Sequence, residues 1–99
     1  TFIAQAAGEL PVNRFHNWVV ELLDKQGEPV KSAIIRVDGG MPSHGHGLPT
    51  QPTVSNYLGE GRYLLEGMKF NMHGDWQLSL YVSTPRVNDI AVLDFEVVY

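Results

Sequence analysis

The sequence has no cysteine, so disulfides and thiolate metal sites are excluded outright. Its seven basic residues, Arg14, Lys25, Lys31, Arg36, Arg62, Lys69 and Arg86, are scattered with no stripe among them. With a formal net charge of −4, nucleic acid and anionic membrane surfaces are not expected partners, because both are held through clustered cations. No apolar run approaches the roughly 18 residues that a membrane-spanning helix needs. Internal repeats and low-complexity tracts are also missing, and no segment has convincing helical periodicity. There is no G-x-S-x-G turn, no cysteine nucleophile and no carboxylate pair set for acid–base work, so an enzyme is not expected. Ser43 beside His44 is no exception, since neighbours in sequence rarely meet as nucleophile and base.

What remains is a chain of 99 residues, 43% of them hydrophobic, long enough to bury a core and read as one domain over 1–99. Short alternating segments recur along it. Thr1 to Gly8 reads as an edge strand. In Phe15 to Leu23, Trp18, Val20 and Leu22 fall at period two, and the adjacent valines favour strand over helix. Val30 to Val37 follows, with 33–37 expected to be a buried strand. Thr53 to Leu58 and Arg62 to Glu66 are short strands around Gly59-Glu60-Gly61. The clearest alternation places Trp76, Leu78, Leu80 and Val82 on one face. The last segment, Ile90 to Tyr99, puts Ala91, Leu93, Phe95 and Val97 on one side and Asp94 and Glu96 on the other. About seven short strands without a helix predict an all-β fold, an antiparallel β-sandwich of immunoglobulin-like type. Trp18 and Trp76 are expected in the core, and Tyr63, two residues after Gly61, has the placing of a sandwich corner tyrosine.

Two stretches do not fit this structural role. Met41-Pro42-Ser43-His44-Gly45-His46-Gly47-Leu48-Pro49-Thr50-Gln51-Pro52 is about twice the usual connection length, and its Gly and Pro content argues against helix and strand alike. Met68-Lys69-Phe70-Asn71-Met72-His73-Gly74-Asp75-Trp76 carries the other two methionines and a third histidine. In a sandwich of alternating strands the connections alternate between two ends. Counting strands places His16, Met41, His44, His46, Met68, Met72 and His73 at one end. That set holds every histidine and methionine in the chain.

Imidazole nitrogen together with thioether sulfur suits copper, and methionine favours Cu(I) over Cu(II). Zinc accepts histidine but takes thioether poorly, and calcium and magnesium require clustered oxygens that Asp38, Asp75 and Asp89 do not provide. The reading is a copper site of His44, His46 and Met72, with Met41 or His73 as a fourth ligand. His16 and Met68 are assigned to packing or surface. The expected role is to hold or pass on copper, with affinity falling as pH drops through about 6.5, the reference value for histidine. Zinc, or no metal at all, is the alternative. In the latter case the chain is a structural or protein-interaction module of a membrane-associated assembly and the histidines are incidental. A cysteine-free His and Met domain suits an oxidising compartment. The chain opens at Thr1, which leaves room for an export signal or anchor upstream.

The Met41–Pro52 motif, then Gly61-Arg62-Tyr63, then Gly67 to Leu78, resembles the YtkA-like domain, which in turn is similar to FixH-like proteins associated with copper-oxidase assembly. The resemblance covers roughly residues 15 to 98. It implies an immunoglobulin-like sandwich outside the bacterial cytoplasm, periplasmic and often beside a membrane anchor or a metal-transport partner. His44, His46 and Met72 match the family pattern. His73 departs from it, where the pattern often has Pro.

Overall fold

Each alternating segment becomes a strand in the computed structural model, which describes residues 2–98. The strands are β1 (Phe2–Ala7), β2 (His16–Asp24), β3 (Ile34–Met41), β4 (His46–Gly47), β5 (Thr53–Gly59), β6 (Arg62–Met68), β7 (Gly74–Ser83) and β8 (Asn88–Val97). They form two four-stranded antiparallel sheets, in the order β1-β2-β6-β5 and β4-β3-β7-β8. The immunoglobulin-like sandwich expected from the alternation is what the chain adopts.

Side chains on a strand alternate between faces, so one row from each sheet meets between the layers. From the first sheet come Trp18, Val20, Leu22, Tyr63 and Leu65. From the second come Ile35, Trp76, Leu78, Leu80 and Val82, and all ten are buried. Full burial of such a side chain is worth about 1.5–3 kcal/mol, so this interior supplies the main drive to fold. The two tryptophans lie in it, as expected.

Tyr63 acts as the corner residue. Its hydroxyl donates to the Val30 carbonyl at 2.6 Å and accepts from the Ala33 N–H at 3.3 Å. A strand of the first sheet is thereby tied to the connection leading into the second. Burial is the main reason that its phenol is pushed above its ordinary pKa.

Two expectations need correction. The strands are more than the seven anticipated, because part of the Met41–Pro52 stretch is regular. Pro42–His44 forms a 3-10 turn, closed by the Gly45 N–H on the Pro42 carbonyl. His46–Gly47 then pairs back on Met41 and Gly40 as β4. A Pro at the start of the turn and Gly at its end permit what the composition was read as forbidding. The second correction concerns residues 33–37, which do not form a wholly buried strand. Ile35 is buried, but Ile34 is 77% exposed, because β3 has a solvent face and an apolar residue does not change the alternation.

Candidate metal-binding rim

The strand order fixes which connections share an end. His16 at the start of β2 pairs with Met68 at the end of β6. Met41 closes β3, and Gly74 opens β7. The segment before β2 joins them, since Val12 bridges Phe70 and the Asn13 N–H donates to the Phe70 carbonyl at 2.7 Å. The two stretches singled out in the sequence therefore meet at one rim of the sandwich.

Beneath this rim lies an aromatic cluster centred on Phe70, which is fully buried. Its ring centroid is 5.1 Å from Trp76, 5.4 Å from Phe95, 5.9 Å from Trp18 and 5.2 Å from His16. Met41 and Met68 are fully buried beside these residues in the same core. The Trp76 indole N–H donates to the Met72 carbonyl at 3.1 Å, which fixes the Met72 turn over the core.

Two contacts join the stretches directly. Gly74 has no side chain, and a Cβ there would lie 2.8 Å from the Met41 Cε, so the thioether end of Met41 seats against the backbone after His73. The Thr50 hydroxyl donates to the Gly67 carbonyl, tying the far end of the long loop to the residue before Met68. The near end is held as closely. A Cβ on Gly40 would sit 2.1 Å from the His46 carbonyl oxygen, so only glycine lets β4 lie back on β3. The Leu48 N–H then donates to the Gly39 carbonyl at 3.1 Å.

Held this way, His44 and His46 are exposed, with their rings stacked at a centroid separation of 6.2 Å and an interplanar angle of 23°. Met72 is 36% exposed and His73 half-buried in the turn that precedes β7. Met41, in contrast, is wholly inside. Among the described residues no three His, Asp or Glu side chains are placed together as a metal-binding group.

The sequence reading gave little weight to His16, yet it has an unusual environment. Its ring nitrogen Nδ1 donates to the Arg14 carbonyl at 3.0 Å, while Nε2 is buried without a hydrogen-bond partner against the Phe70 cluster. Only its place at the start of an alternating strand hinted at this. Sequence spacing offered no sign that the ring would turn inward.

The fold is an immunoglobulin-like β-sandwich whose histidines and methionines lie in or beside the connections at one end. This chain belongs to the YtkA-like family, whose match spans residues 7–81. That match starts before β2 and stops within β7, a different span from the 15–98 expected. Among solved structures, the chain is similar to the crystal structure of the Lin-41 filamin domain. The TM-score is 0.53 at 14% identity, covering 92% of this chain and 89% of that one. At this identity the likeness concerns fold alone. No curated protein matches the sequence.

Proposed function

We propose that this chain is an extracytoplasmic copper-binding domain that holds or transfers the ion without catalysing a reaction. His44, His46 and Met72 are its principal ligands, and Met41 or His73 completes the set. The observation that carries this reading is the pair of exposed imidazoles on a pinned loop. Two rings sharing one ion through N–metal bonds of about 2 Å have centroids roughly 5–6 Å apart, and the 6.2 Å between His44 and His46 is close to that span. Met41 against Gly74 and Thr50 on Gly67 join the loop to both ends of the segment that carries Met72 and His73, which supports a thioether ligand from the same rim. Nitrogen and sulfur together prefer Cu(I) to Cu(II) and to zinc.

The ligands are neutral and near the surface, which suits an ion that must be released to a partner, here a membrane-anchored or metal-transport protein. Met41 is held in the core, so its thioether reaches an ion only if the Gly74 turn shifts.

Anaerobic Cu(I) titration against a chromophoric chelator tests the reading, with Trp76 fluorescence as a second signal because its indole is bonded to the Met72 turn. Wild type should compete for Cu(I), and the His44→Ala/His46→Ala double variant should lose at least tenfold in affinity, as expected when ligands are removed. Equal, weak binding by both would favour the interaction-module reading. Zinc binding that survives Met72→Leu without a Cu(I) preference would favour zinc.

A further inference from the structure

The outer face of the β4-β3-β7-β8 sheet is sharply divided. Register places Arg36, Tyr81 and Ile90 in one row across three strands, and Asp38, Ser79 and Val92 in another. Around these lies apolar surface: Ile34 is 77% exposed, Ile90 57% and Val92 50%. The Arg36 guanidinium covers the Tyr81 ring at 4.4 Å. Towards the histidine rim the same face turns acidic. Asp75 stands directly opposite Glu96, and Gln77 is opposite Asp94, whose carboxylate accepts from the Gln77 amide at 3.0 Å. Two carboxylates directly opposite on neighbouring strands repel and destabilise the sheet.

β8 ends this sheet, and among the described residues no strand pairs with its outer side. Proteins usually guard such an edge with Lys, Pro, a bulge or a short strand. Here β5 has register shifts and β4 is two residues long, but β8 is ten residues, pairs with β7 without a shift, and contains no Lys or Pro. β1 of the other sheet comes near β8 without pairing with it, and at the start of β8 the Phe2 N–H donates to the Asp89 carboxylate at 3.1 Å. Pairing with a second copy is opposed by charge, because β8 bears Asp89, Asp94 and Glu96 and no cation.

We infer that the β8 edge receives an extended segment of another protein as an added antiparallel strand. The segment carries Lys or Arg towards Asp94, Glu96 and Asp75, and apolar side chains over Val92 and Ile90. Cations from the partner relieve the Asp75–Glu96 repulsion, while main-chain hydrogen bonds complete the edge. The inference is independent of copper, since none of these residues is a proposed ligand.

The test uses the full chain and a synthetic peptide, Lys-Thr-Lys-Thr-Val-Thr-Ile, whose alternate side chains oppose residues 96, 94, 92 and 90. Binding should perturb the backbone amides of β8 first in NMR spectra and weaken as salt is raised. Replacing both peptide lysines by Glu should abolish it. The Asp75→Asn/Glu96→Gln variant should bind severalfold more weakly and yet melt at a higher temperature, a combination that a purely structural role for these carboxylates would not give. Val92→Lys, at an exposed position, should also block the peptide while leaving the near-UV spectrum intact. Failure of the basic peptide to bind at millimolar concentration would overturn the inference. So would equal binding of the acidic peptide, amide shifts centred elsewhere, or sedimentation as a dimer through β8.

Discussion

The two ends of this sandwich are built by different means. At the end away from the histidines the chain reverses at 24–28, 59–61 and 84–87, in turns fastened by their own polar groups. Asp24 accepts from the N–H groups of Gln26 and Glu28 at 2.9 and 3.0 Å. Thr84 accepts from the N–H groups of Arg86 and Val87 and donates to the Val87 carbonyl. The Gly61 N–H is held by the Tyr57 hydroxyl at 2.9 Å. At the histidine end most of the order of the connections comes from below, through Met41, Phe70 and Trp76. A turn closed by local hydrogen bonds spends its polar side chains on its own backbone. A loop held by packing leaves them exposed and available to a ligand.

The contrast breaks most decisively at Phe70, where every ring of the cluster meets. Phe70→Ala should cost about 3–5 kcal/mol, measured by denaturant unfolding, because it removes a fully buried aromatic and leaves a cavity under both loops. The same variant should loosen the rim before the opposite end, visible as faster hydrogen exchange at residues 41–48 and 70–74 than at 24–29. Next in size is Tyr63→Phe, which leaves the Val30 carbonyl and the Ala33 N–H without their partner. A loss of about 1–3 kcal/mol is expected.

Asp24→Ala sharpens the comparison on the other side. It removes two hydrogen bonds from an exposed turn and should cost about 1 kcal/mol in thermal or urea unfolding, without changing the outcome of the Cu(I) titration proposed for the far rim. The smallest effect is electrostatic. Asp89 has its pKa lowered, first by the Ile90 N–H and then by the Phe2 N–H. A carboxylate depressed in the folded state adds stability above its unfolded value of 3.8 and loses it as pH falls through the folded one. Asp89→Asn should therefore remove a small part of the stability seen above pH 3.8 and flatten the acid limb of a pH–unfolding curve. Solvent exposure keeps this contribution slight.

Much of the architecture was legible because period-two alternation survives intact in the sequence. The rows of Trp18, Val20 and Leu22 and of Trp76, Leu78, Leu80 and Val82 point inward as read. The gathering of His16, Met41 and Met68 at one rim also followed from counting strands. His46–Gly47 was not legible as a strand, because its pairing depends on Gly40 admitting the His46 carbonyl at close range. Nor was the inside position of Met41: at the end of a strand, either face was open to it. Met41 and Met72 have the same side chain, yet one fills the core and the other reaches solvent.

The sequence alone determined the fold class, since alternation decides which rows must leave water, and it determined which donor atoms the chain can offer to a metal. Tertiary structure decided which donors remain at the surface, how far apart the imidazoles lie, and which strand edge was left open. Those depend on backbone approach and on contacts between residues far apart in the chain, which no local pattern encodes.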